Sequence, residues 1–110
     1  MTVIACGERW RDGSLRPALE DHLGAGAVIS GLEGDRSPEA QAAAAVFHDA
    51  RGRLPTVLRA CASGREQVAR GWEADLAHAS ALGVSSAVPV LRDGAFVDAG
   101  AAGGATSAGA

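Results

Sequence analysis

Between Gly7 and Gly26 the chain reads GERWRDGSLRPALEDHLGAG, one stretch that holds three arginines, two glutamates and two aspartates. Carboxylates can hold a divalent cation, and the planar donor fork of arginine suits anions that accept in pairs. Glu8 lies just past TVIAC, a short β-branched run that reads as a strand, and open α/β sheets bind ligands beyond such strand ends. Glu20 and Asp21 fall on the helix that follows, about 100° apart around its axis, so they need not share one ligand. Arg9 and Arg11 sit in the loop between, where a solvent-facing role is the alternative. Further along, Ser63, Gly64 and Arg65 stand at the start of another helix, whose free first-turn amides favour an anion. Ser63 has a competing role there as a helix cap.

Other reactive residues form no pattern of their own. His22, His48 and His78 show no HxxxH spacing, and His22 lies on an apolar helix face as a core histidine would. Cys6 and Cys61 belong to no CxxC pair, which predicts two small buried thiols in a reducing cytoplasm.

The elements that must carry these residues follow from spacing. After the polar loop, Leu15, Leu19, Leu23, Gly26 and Ile29 recur at helical intervals, with Ser14 as the expected N-cap and Pro17 in the first turn. Gly24 and Gly26 weaken that helix and suggest a close approach by another backbone. Ser37 and Pro38 open a second helix whose narrow apolar stripe is Ala43, Ala44, Phe47 and Ala50. The pattern resumes after Gly52 through Leu54, Leu58 and Cys61, and Ser63 with Glu66 has capping-box spacing. Val68, Trp72 and Leu76 extend the apolar face past a joint at Gly71, with Trp72 in a core or an interface. Near the end, VPVLRDGAFV reads as a strand or hairpin turned at Asp93 and Gly94, with Pro89 at a strand's edge or beginning. Residues 99–110 are low-complexity and predict a frayed tail.

Strand, several helices, then strand or hairpin predict a helix-rich α/β chain: part of a three-layer α/β/α domain, with a buried N-terminal strand. One opening strand and one closing hairpin do not make a complete sheet. With 110 residues, 47% of them hydrophobic, the chain has apolar material for a core. Its net charge of −3, with signs interspersed, excludes a general binder of nucleic acid or anionic membrane. No apolar run approaches a membrane span and no leader is visible, so a cytoplasmic protein is expected.

Three segments, GERWRDGSLRPALEDHLGAGAVISGL, ASGREQVARGWEADLAHASAL and VSSAVPVLRDGAFV, together resemble the C-terminal half of the 2-phosphosulfolactate phosphatase (ComB-like) family, in order and with similar spacing. The resemblance spans residues 1–98 as a portion of that domain. It implies Mg²⁺-dependent hydrolysis of 2-phospho-3-sulfolactate to 3-sulfolactate and phosphate, a step of coenzyme M biosynthesis, or of another small phosphorylated, sulfonated or carboxylated acid. Carried onto EDHLGAG, the family's Glu-Asp pattern makes Asp21 a metal ligand and catalytic carboxylate, with Glu20 as a further metal ligand. It leaves Glu8 as a second catalytic carboxylate and Arg9, Ser63, Gly64 and Arg65 as substrate binders. Asp75 matches a recurring Asp of the family, although a charge at a helix N-terminus would explain it equally. Family members run to about twice this length, and their Asp-Val-Leu-Arg-type strand end and Asn-Gly-Thr-type loop are not found here. The expectation is a truncated product or half of a split protein, needing a complementing N-terminal half. The competing reading is a non-catalytic remnant that self-associates through an open strand edge. A thioredoxin-like domain, the third possibility, lacks its CxxC and has the wrong element order.

Overall fold

A computed structural model describes residues 1–100; of the expected tail, residues 101–110 lie outside the described residues, while the Ala99 amide bonds the Val88 carbonyl and the Gly100 amide bonds Asp98 Oδ1, both at 2.8 Å. Helix and strand are mixed as the sequence predicts. Strands β1 (Glu8–Arg9) and β2 (Leu15–Arg16) precede helices α1 (Leu19–Ser30) and α2 (Pro38–Ala50). A 3₁₀ turn at Arg51–Arg53 leads to α3 (Leu54–Ala60), α4 (Ala62–Ala69) and α5 (Glu73–Ser80), and β3 (Pro89–Arg92) and β4 (Ala95–Asp98) follow. The chain divides into two compact units at Ser80.

In the first unit the charged stretch is an antiparallel hairpin rather than the loop expected from sequence. Glu8 faces Arg16 and Arg9 faces Leu15 across β1 and β2. The turn closes through a hydrogen bond from the Trp10 amide to the Ser14 carbonyl and another from the Gly13 amide to the Trp10 carbonyl, both 2.9 Å. Asp12 Oδ1 accepts from the Ser14 amide at 2.9 Å and from its hydroxyl at 2.6 Å. These bonds hold the Asp12 carboxyl below its usual range. Ser14 therefore belongs to the turn and caps no helix. Helix α1 begins four residues later than that cap would place it, after Ala18 and with no side-chain cap.

Helix α2 opens as its sequence predicts, with Ser37 Oγ accepting from the Ala40 amide at 3.3 Å and Pro38 in the first turn. Its predicted stripe, Ala43, Ala44, Phe47 and Ala50, is buried. Small residues there let α1 come close, and the approach is closest at Gly26. A Cβ on Gly26 would overlap the Ala43 carbonyl oxygen, whereas one on Gly24 would meet nothing within 4 Å. Only one of the two glycines thus marks a backbone contact. The core forms two small clusters. Leu23, Ala50, Leu54 and Leu58 make one, and Ile29, Ala43 and Ala44, joined by the half-buried Val3 and Ala40, make the other.

The expected capping box at Ser63 is replaced by a different cap. Cys61 is the N-cap of α4, its Sγ accepting from the Gly64 amide at 3.4 Å, and Ser63 already lies within the helix. Gly64 is buried because the Leu58 carbonyl of α3 occupies the space a Cβ would need. Gly71 forms the expected joint, with φ +80°, and an Arg59–Glu73 ion pair links α3 to α5. Trp72 is half exposed, with the Arg70 guanidinium 5.5 Å from its ring centroid, and belongs to no core cluster.

The opening segment differs from its sequence reading. Residues 2–6 form no strand, and Ile4 is 79% exposed. Cys6 is exposed and Cys61 partly so, which corrects the expectation of two buried thiols. The cause is pairing: an apolar, β-branched run becomes a buried strand only with strands beside it, and among the described residues it has none. In the second unit β3 and β4 form the expected hairpin around Asp93 and Gly94, with Val90 opposite Val97 and Leu91 opposite Phe96. No helix among the described residues is long and apolar enough to cross a membrane.

Candidate functional site

The hairpin and α4 enclose an open cleft of about 940 Å³, lined by Glu8, Arg9, Trp10, Arg11, Asp12 and Arg16 from the hairpin. Helix α4 and the residue that ends it add Ser63, Glu66, Gln67 and Arg70. Four arginines face three carboxylates in this wall, a local cationic excess in a chain of negative net charge.

Arg16 is the centre of the cleft. Its Nη1 donates to Glu66 Oε1 at 2.6 Å and its Nη2 to Glu66 Oε2 at 3.2 Å, a two-pronged pair across 50 residues of sequence. Nη2 also lies 3.4 Å from Ser63 Oγ, and the guanidinium stands 5.4 Å from the Trp10 ring centroid. Its side chain is only 12% exposed. The hydrogen bonds to Glu66 raise the Arg16 pKa above its ordinary value, with smaller contributions from the charges of Glu66, Glu8 and Glu20. In return, the bonds from Arg16 hold the Glu66 carboxyl below its ordinary 4.5. Glu66 therefore stabilises the fold above that value, and its contribution disappears as pH falls through the lowered one. Glu66→Gln removes this part of the dependence. The thermal midpoint of wild type is expected to drop more steeply than that of the variant below pH 4.5, and parallel profiles would show that the pair is energetically silent.

The residues expected from sequence are distributed unevenly around this cleft. Glu8, Arg9 and Ser63 line it. Arg9 is exposed and bonds the Gly13 carbonyl at 3.1 Å. Glu20 lies instead beside a cavity of about 150 Å³ under α4 and α5, shared with Ser63, Gly64 and Asp75, and its Oε2 is 3.8 Å from Cys61 Sγ. Asp21 Oδ2 accepts from the Gly7 amide at 2.8 Å, fastening the start of the hairpin to α1. Arg65 turns back to the Ala60 carbonyl at 2.9 Å. Gly64 spends its amide on Cys61.

Glu20 and Asp21 are thus committed to different partners, and among the described residues no three of His, Cys, Asp and Glu converge as a cation site. The two carboxylates meet separate surroundings, in keeping with their separation of about 100° around the helix axis. No local signal in the sequence marks Arg16 or Trp10 as a site residue, and Glu66 is marked only by its capping-box spacing with Ser63. What locates Arg16 and Trp10 is Asp12-Gly13, a hairpin turn pair between two short runs. Once that turn is read, Arg16 is opposite Glu8 rather than on a helix.

No family model and no solved structure matches the chain. Over 88 residues, 80% of its length, it is 34% identical to a probable 2-phosphosulfolactate phosphatase of Gloeobacter violaceus, and the match covers 36% of that protein. The chain thus spans little more than a third of the length of this curated relative.

Proposed function

We propose that the chain belongs to the 2-phosphosulfolactate phosphatase family and supplies the arginine-bearing wall of its substrate cleft. The reaction is hydrolysis of 2-phospho-3-sulfolactate, or a similar small phosphorylated acid, to the free hydroxy acid and phosphate. The observation that carries the reading is the placement of Arg9, Arg11, Arg16 and Arg70 around one cleft in a chain with a phosphatase-named relative. Such a substrate carries phosphate, sulfonate and carboxylate, each of which accepts hydrogen bonds in pairs, and arginine matches that geometry better than lysine. Arg16 offers the least exposed of these forks, held in place by Glu66 and Trp10. Of the three exposed carboxylates lining the cleft, Asp12 is bonded to Ser14 and Glu66 to Arg16, so the water-orienting role is assigned to Glu8.

Titration of the 110-residue chain with 2-phospho-3-sulfolactate, followed by amide NMR, tests this. Shifts confined to the β1–β2 hairpin and α4 and saturating below about 10 mM are expected, the range of a weak specific site. Shifts scattered over the surface, or none in that range, would overturn the assignment of the cleft. A phosphate-release assay with and without Mg²⁺ then asks whether the chain also turns the substrate over.

A further inference from the structure

The segment Thr2–Cys6 is apolar and β-branched, yet it makes no backbone hydrogen bond among the described residues. It is nevertheless placed. Val3 packs on the Ile29, Ala43 and Ala44 cluster, the segment lines a groove of about 570 Å³ over α1 and α2, and the Gly7 amide is tied to Asp21. Ile4 projects away at 79% exposure. One face is therefore seated on a pair of helices while the backbone donors and acceptors are unused, which is the condition of a sheet strand without its neighbours.

We propose that Thr2–Cys6 is a docking strand, and that its occupant is a polypeptide equivalent to the part of the phosphatase relative outside the match, which adds strands along its edges. This rests on the family reading for the partner's identity. Three observations favour that occupant over a second copy of the chain. Almost two thirds of the relative lies outside the matched portion, enough for several strands and their helices. Helices α1 and α2 cover one face only, so strands laid beside Thr2–Cys6 continue a helix-backed sheet. Two copies would contribute two such short segments, five residues each, and a two-stranded ribbon of that size is marginal in water. Main-chain pairing would give the affinity, and the exposed face carrying Ile4 would become buried.

The test is co-expression of the 110-residue chain with a tagged polypeptide comprising the unmatched part of the Gloeobacter violaceus protein. A one-to-one complex by light scattering is expected, with hydrogen exchange at Thr2–Cys6 slowed at least tenfold relative to the chain alone. Ile4→Pro removes a donor at an exposed position, so the chain should keep its circular dichroism while losing the complex. Failure to co-purify, a complex without protection at Thr2–Cys6, or equal binding by Ile4→Pro would each overturn the proposal, as would protection arising from self-association of the chain. Because the readouts are mass and exchange, a complex that forms but releases no phosphate sinks the catalytic reading and leaves the docking strand standing.

Discussion

Arg16→Ala is expected to lower kcat/KM for 2-phospho-3-sulfolactate about a hundredfold in the active assembly, equivalent to roughly 2.7 kcal/mol of transition-state binding. Two effects add. The variant removes the least exposed of the cleft's cationic forks, and it leaves Glu66 as an uncompensated carboxylate facing an anionic substrate. Arg16→Lys keeps the charge but cannot reproduce the two-pronged pair, so partial recovery is expected. Glu66→Gln separates substrate binding from a merely structural role. If Arg16 serves the substrate, neutralising its partner frees donors in the cleft, and KM should stay level or fall. If Arg16 only braces the hairpin against α4, Glu66→Gln should harm activity as Arg16→Ala does. Loss in both variants, accompanied by a matching loss of stability, would remove Arg16 from the substrate's reach.

The contrast between Arg16 and the residues expected from sequence shows what a single chain reveals. Helix α2 was legible because its signals are local: Ser37 and Pro38 start it, and the alanines with Phe47 repeat at helical spacing. The β3–β4 hairpin was legible for the same reason, through Asp93 and Gly94. Arg16 was not, because its partner stands 50 positions away and only the fold joins them. Cys61 was also missed as a cap, since a thiol is an uncommon substitute for the hydroxyl or carboxylate that usually marks an N-cap. The opening segment departs from its sequence pattern for a tertiary reason. TVIAC has the composition of a buried strand, but burial is a property of the sheet around it, and composition cannot report whether that sheet is present. Helical spacing suffices to put Glu20 and Asp21 on one helix, yet their chemistry depends on what each side chain meets, Cys61 in one case and Gly7 in the other.

Gly26 and Gly24 offer the sharpest separation of local propensity from packing. By propensity alone, alanine at either position should stabilise α1 by about 1 kcal/mol. At Gly24 nothing opposes that gain, since a methyl group would meet no atom within 4 Å, and Gly24→Ala is expected to raise stability by about that amount. At Gly26 the same methyl would overlap the Ala43 carbonyl oxygen and come within 2.9 Å of Phe47 Cβ. The obstacle is α2 backbone rather than a flexible side chain, so the two helices must move apart. Overpacking of this kind costs about 3 kcal/mol, enough to outweigh the gain in propensity. A domain of this size would lose roughly 10 °C or more in thermal midpoint, measurable by circular dichroism. The damage should also spread, because separating the helices withdraws Ile29 from Ala43 and Ala44, the cluster on which Val3 rests. Exchange at the amides of α2 in Gly26→Ala would report that separation directly. Equal stability of the two alanine variants would mean that α1 and α2 do not approach each other at Gly26, and the seat of the docking strand would have to be sought elsewhere.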